Sequence, residues 1–299
     1  MPIKNIGLIG LGLMGGGIGK NLVSKGFPLT VFDVDPAAVN KLGKLGAMPV
    51  DTPQALAERS DVVITVVPDS PQVEEALCGP RGALKGAKPG TIFVDCSTID
   101  PFASQAIGDR VRAAGCHFVD AGMGGSSKQA DEGELLLMVG ATPEDFAELQ
   151  PVLRAIAAKI FHCGGPNAGI TMKVVNNTLA ASICAADMET LTLGRKAGLT
   201  AEVMLDVLTH TAADNPALHG QVPNEVLPGR YDPGFKAWMA HKDLGLGQNL
   251  AARLGVPLFT LAPARQLYSL ALALGKRDRS HTVIAQVLEE IVGVRIGGN

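Results

Sequence analysis

The sequence predicts an α/β domain on a doubly wound, mostly parallel sheet, followed by an all-α domain on a long interdomain helix. Three observations carry that prediction. Short β-branched runs alternate with helical stretches through the first 160 or so residues. The first run meets the next helix through a glycine-rich turn. After Gly164-Gly165-Pro166 the period becomes wholly helical.

The expected strands are Ile6–Ile9, Leu29–Phe32, Val62–Val67, Ile92–Val94, His117–Val119 and Leu135–Val139. Helices between them fit Gly16–Lys25, Pro36–Leu45, Pro53–Arg59 and Pro101–Ala114. One pattern without internal proline then runs from about Ala168 to Ala197, and roughly 30 residues of helix span ~45 Å. Further helical periods cover Val203–His210, Lys242–Leu254, Ala262–Leu274 and Val283–Val294. The domains are expected at 1–164 and 165–299.

A chain of 299 residues exceeds what one core usually supports. Apolar residues make up 46% and charged ones 18%, as in an ordinary globular enzyme, while only 4% aromatics argues against base stacking. The net charge is −3 with no basic stripe, so neither nucleic acid nor an anionic membrane surface is an expected partner. The five cysteines form no CxxC pair, which suits free thiols in a reducing, cytoplasmic setting. Glycines recur through the apolar start after Lys4, unlike a signal peptide, and no apolar run approaches the ~20 residues of a membrane span. The six histidines form no HxH or HxxxH pair, so no metal site is expected.

Gly10-Leu11-Gly12-Leu13-Met14-Gly15 follows the first strand directly. Gly10 permits the tight turn, Gly12 lets backbone approach a pyrophosphate, and Gly15 lets helix and strand pack closely. The helix N-terminus offers open N–H groups to the phosphates. A second strand ends in Asp33, 18 residues beyond Gly15, where a carboxylate can accept from ribose hydroxyls. Asp33 would repel a 2′-phosphate and no Arg or Lys follows it, so NAD is expected over NADP. The competing role for Asp33 is capping the next helix with Asp35. Val67-Pro68 and Ser97-Thr98 follow two further strands, beyond whose carboxyl ends ligands bind in such sheets. Ser97 and Thr98 are also suited to an N-cap before Pro101.

In Gly169-Ile-Thr-Met-Lys173-Val-Val-Asn-Asn177, residues four apart share one helix face. Lys173 can hand a proton to a carbonyl oxygen as hydride arrives, and Asn177 can fix the ammonium and the substrate oxygen. Burial lowers a lysine's pKa toward working pH. Composition alone would leave Lys173 on a solvent face. The Gly-rich bend before it and its place at the start of the interdomain helix argue that it faces a cleft.

Taken in order, Gly7–Gly15, Asp95-Cys-Ser-Thr98, Asp120-Ala-Gly-Met-Gly-Gly-Ser126, Gly169-xxx-Lys173-xxx-Asn177 and His241-Lys242-Asp243-Leu244 resemble the β-hydroxyacid dehydrogenase family. Its members include 3-hydroxyisobutyrate dehydrogenases and tartronate semialdehyde reductases, and the resemblance spans essentially the whole chain. It implies a Rossmann domain binding NAD, a helical domain used in oligomerisation and an active site in the cleft. By the same resemblance Lys173 is the acid/base, Asn177 binds substrate, and Lys242 lies near the nicotinamide. A homodimer or homotetramer acting on a small anionic hydroxy acid or semialdehyde is expected.

Where the family usually carries Asp-Ala-Pro-Val-Ser-Gly-Gly, this chain has Asp120-Ala-Gly122-Met-Gly124-Gly125-Ser126-Ser127. The substrate-carboxylate serine is replaced by Gly124, leaving backbone N–H groups and the Ser126 and Ser127 hydroxyls for an acid group. Sulfolactaldehyde reductase also has glycine there, so a sulfonate aldehyde is an alternative substrate, as is a 4-hydroxybutyrate-type acid. A nicotinamide sensor without turnover would have no use for Lys173, and imine-reducing relatives usually carry another residue at that position. His241, beside Lys242, is suited to lining the cleft but is expected in a packing or surface role, and the lone Trp238 with Phe235 is expected to pack near the site mouth.

Overall fold

The computed structural model describes residues 5–232 and 234–297. Among them one sheet holds β1 (Ile6–Ile9), β2 (Leu29–Phe32), β3 (Met48–Pro49), β4 (Val62–Thr65), β5 (Ile92–Asp95), β6 (His117–Gly124), β7 (Leu135–Gly140) and β8 (Ala157–Gly164). Their order is β3-β2-β1-β4-β5-β6-β7-β8, parallel throughout except for the β6–β7 pair. Side chains alternate between two cores: Ile6, Leu8, Val62, Ile64, Ile92 and Val94 enter one, while Ile9, Val63 and Phe93 enter the other. Burial on both faces is why these strands lack polar alternation.

The helices of this unit are α1 (Leu13–Ser24), α2 (Pro36–Gly43), α3 (Pro53–Ala57), α4 (Ser70–Cys78), α5 (Pro101–Ala113), α6 (Ser127–Glu132) and α7 (Pro143–Ile156). Proline in the first turn recurs, preceded by the N-cap side chains Asp35, Thr52, Asp69, Asp100 and Thr142, each accepting a backbone N–H. A proline there surrenders a donor that would have no partner, and each cap contributes about 1 kcal/mol.

The long helix is α8 (Ala168–Lys196). The remaining helices are α9 (Ala201–Leu208), α10 (Pro216–His219), α11 (Ala237–Leu254), α12 (Ala264–Ala273) and α13 (Ile284–Val292). They enclose a separate core that includes Met188, Val222, Leu244, Tyr268 and Ile284. The chain divides into compact units between Val174 and Val175. The first turns of α8 belong to the sheet unit because a Cβ on Gly169 would stand 2.6 Å from the Gly140 amide nitrogen.

β3, β8, α4, α6, α7 and α10 are absent from the elements expected from sequence. Two residues of β3 give no period, and β8 is a largely exposed edge strand with one core-facing end. α7 carries Pro151 inside it, which masks its helical pattern. No helix among the described residues is long and apolar enough to cross a membrane.

Candidate functional site

Strand register lines up the carboxyl ends of β1, β4 and β5 with the middle of β6: Ile9 is opposite Thr65, Thr65 opposite Asp95, and Asp95 opposite Asp120. Gly10, Val67, Ser97 and Gly122 therefore follow a common edge of the sheet. The strand order reverses between β1 and β4, which is where an open α/β sheet leaves a crevice for ligands.

Gly10 has φ +89°, and a Cβ there would strike the Val66 carbonyl. A Cβ on Gly15 would likewise collide with the Gly10 carbonyl oxygen. Gly12 differs: its Cβ position faces open space, with no heavy atom within 4 Å. Gly12 is also the N-cap of α1, without a side-chain cap and with no acidic residue in the first turn. An uncapped helix start beside open space is the cradle a dinucleotide pyrophosphate needs.

Asp33 lies at the end of β2. Its Oδ2 accepts from the Leu11 N–H at 2.5 Å and its Oδ1 from the Asp35 N–H at 2.8 Å. Asp35, not Asp33, is the cap of α2. Asp33 thus fixes the glycine turn and keeps acceptor lone pairs for ribose hydroxyls.

β4 ends at Thr65, two residues before the expected Val67. Ser97 is buried, and its hydroxyl accepts from the Val67 N–H at 3.0 Å. Its own N–H donates to Asp95 Oδ1, which also accepts from the Thr65 hydroxyl. The α5 cap is Asp100, so neither Ser97 nor Thr98 fills the capping role considered above. Pro68 is exposed and Thr98 half-buried. Burial raises the Asp95 carboxyl to about 6 against these hydrogen bonds.

Midway along β6, where its pairing with β5 ends, Asp120 accepts from the Asn167 and Ile170 N–H groups at 2.5 and 2.6 Å. It anchors the beginning of α8, and burial raises its carboxyl to about 6. One turn further along α8, Lys173 is buried, with 9% of its surface exposed. A Cβ on Gly122 would stand 2.5 Å from Lys173 Cβ, so backbone and lysine stem meet directly. Gly124 is the last residue of β6, and Gly125 turns the chain away from it with φ +115°.

Ser126 is committed to α6: its hydroxyl accepts the Gln129 N–H, while Gln129 Oε1 accepts the Ser126 N–H at 2.9 Å. The spacing Ser126-x-x-Gln129 is a capping box visible in the sequence. Ser127, the first residue of α6, is half-buried.

In the helical unit, the Asn177 Nδ2 donates to Asp243 Oδ2 at 2.6 Å. Lys242 Nζ lies 3.3 Å from Asp243 Oδ1. α11 starts at Ala237, five residues before the expected helix, so Trp238, His241, Lys242 and Asp243 are all helical. Trp238 lies under Arg277, 5.2 Å from its guanidinium carbon, and Phe235 meets the His281 ring edge-on. His241 contacts the Ser269 hydroxyl at 3.0 Å, and burial with the nearby Arg265 lowers its pKa. Among the described residues no cluster of three or more His, Cys, Asp or Glu could hold a metal ion.

Two family models cover the chain. Residues 5–165 match the NAD binding domain of 6-phosphogluconate dehydrogenase. Residues 167–288 match the NAD-binding domain of NADP-dependent 3-hydroxyisobutyrate dehydrogenase. A 2-(hydroxymethyl)glutarate dehydrogenase of Eubacterium barkeri is 34% identical across 98% of this chain and 97% of its own. The chain belongs to the β-hydroxyacid dehydrogenase family. A second relative in that family, the 3-sulfolactaldehyde reductase of Escherichia coli, is 33% identical over 97% of both chains. The solved structure of Mycobacterium tuberculosis 3-hydroxyisobutyrate dehydrogenase with L-serine superposes with TM-score 0.89 at 30% identity, covering 96% of this chain and 99% of that one. As a member of this family the chain is a nicotinamide-dependent dehydrogenase of hydroxy acids.

Proposed function

We propose that this enzyme interconverts a small 3-hydroxy acid and its semialdehyde, with Lys173 as general acid/base. The burial of Lys173 against Gly122, in the carboxyl-terminal half of β6, carries the reading. The cofactor, when bound on the Gly10–Gly15 turn and Asp33, supplies or takes up the hydride. Lys173 Nζ gives a proton to the carbonyl oxygen during reduction and takes one from the alcohol during oxidation. Asn177 stands one turn further along α8, where an amide can hold the same oxygen. Gly124, Gly125 and Ser127 receive the acid group, carboxylate or sulfonate, with Ser97 and Thr98 at the neighbouring strand end. Val67, Pro68, Thr98 and Lys242 complete the nicotinamide side. Ser126 acts there only through its backbone, since its hydroxyl serves the cap.

NAD is the cofactor used. Asp33 and Asp35 put two carboxylates beside the ribose position with the exposed Val34 between them, and the stretch from Asp33 to Asn40 holds no Arg or Lys to meet a 2′-phosphate. The enzyme works as a homodimer or homotetramer. On α8 the exposed Met172, Leu179 and Leu193 fall on a seven-residue period, with exposed Ala186 between the last two, a stripe a second copy can cover.

The test follows the absorbance of reduced cofactor across hydroxy acids and aldehydes of three to five carbons, with carboxylate and sulfonate ends. Turnover of one class with NAD(H) and not NADP(H) is expected. Tight NADH binding with no turnover on any of them would leave a binding module instead.

A further inference from the structure

Asp243 has no part in the reading above, yet it touches two of its groups. It lies on α11 with 3% of its surface exposed. Oδ2 accepts the Asn177 amide at 2.6 Å. Oδ1 sits 3.3 Å from the Lys242 ammonium but has no hydrogen bond in line with it. We infer that Asp243 is a positioning residue of the reaction, its carboxylate turning the Asn177 amide and tethering Lys242.

The chemistry of a carboxylate makes this hold directional. Ionised, it only accepts, so it selects the Nδ2 end of the Asn177 amide and turns Oδ1 to the opposite side. There Oδ1 accepts from Asn176 Nδ2 at 3.1 Å. The terminal torsion of a free asparagine is broad and roughly two-fold. With one Nδ2 hydrogen on Asp243, the second can donate to a substrate carbonyl oxygen; without Asp243 the amide can flip and present Oδ1, an acceptor, in its place. The charge matters as well. A carboxylate this deep is costly unless a cation compensates it, and Lys242 is that cation. The same attraction confines a four-carbon side chain that otherwise ranges widely. The Oδ1–Nζ approach without alignment is a tether, not a lock.

The inference rests on the roles proposed for Asn177 and Lys242, and its test separates the two. D243N keeps the shape and an acceptor oxygen but drops the charge; D243A removes both. Turnover is measured on the best substrate of the panel above for wild type, D243N, D243A, N177A and N177A/D243A. D243A should lower kcat about 10- to 100-fold, the scale set by misplacing a reacting group by ~1 Å. D243N should recover much of that loss. The double variant should fall within about threefold of N177A alone, because residues acting through one another are not additive.

A substrate-free readout accompanies these. The Asn177 side-chain amide resonance, assigned by its loss in N177A, should shift in both D243N and D243A. D243A turnover within twofold of wild type, losses that multiply in the double variant, or an unmoved resonance would each overturn the inference. Should D243A fail to fold, the isosteric D243N still reports through the resonance and kcat. Failure of the underlying reading looks different: K173A would keep full turnover while the amide resonance still answered to Asp243.

Discussion

A Cβ on Gly122 would stand 2.5 Å from the Cβ of Lys173, well inside van der Waals contact. The neighbouring atom belongs to the stem of the lysine and not to its flexible end, so it cannot swing aside. G122A should therefore push α8 off β6, costing about 1–3 kcal/mol of stability and displacing the ammonium. Gly124, two residues on, is a control: a Cβ there would meet Leu136 at 3.4 Å, an ordinary contact. G124S should fold within about 0.5 kcal/mol of wild type and alter carboxylate-against-sulfonate selectivity. Urea unfolding and turnover of both variants check the pair.

Replacing Lys173 by alanine should lower kcat by about 10²–10⁴, the range attributed to a positioned acid or base. NADH affinity, read by fluorescence titration, should stay near the wild-type value. Wild-type turnover in K173A would remove the proton-transfer role.

D33A removes both a ribose acceptor and the strap on the Leu11 N–H. Hydrogen bonds to charged groups contribute about 1.5–3 kcal/mol, so NAD affinity should fall roughly 10- to 150-fold. V34R, at a site 90% exposed, should cost no measurable stability while raising NADP(H) affinity relative to NAD(H). Equilibrium titration with both cofactors decides the matter.

Asp95 supplies a pH dependence whose sign is fixed by burial. Its folded pKa is about 6 against an ordinary 3.8, so the folded state holds the proton more tightly than the unfolded chain. That contribution to stability is present below pH 3.8 and is lost as pH rises through about 6. D95N does not titrate. Its stability relative to wild type should therefore rise by about 2–3 kcal/mol between pH 4 and pH 7.5, as unfolding midpoints in urea will show. A difference flat across that range would mean Asp95 is not buried in the way described.

Much of the fold was legible because it is written locally. The β1–α1 junction, the β-branched strands and the proline-led helices each depend on residues adjacent in sequence. α6 was equally legible through Ser126-x-x-Gln129, and α7 through Thr142-Pro143-Glu144-Asp145, but the first was read as ligand contacts and Pro151 broke the pattern of the second. Asp243 carried a weaker signal, since it appeared only beside Lys242 within a resembling motif.

By itself the sequence determined the alternation of strand and helix, the glycine turn for the cofactor, and the helical spacing of Lys173 and Asn177. Only the tertiary structure decided that Lys173 is buried, that Ser97 binds the Val67 amide, and that Asn177 pairs with a carboxylate 66 residues away. The physical reason is reach. Backbone period and capping are settled within a turn or two of chain, whereas burial and hydrogen-bond partnership depend on which distant segments the fold lays side by side.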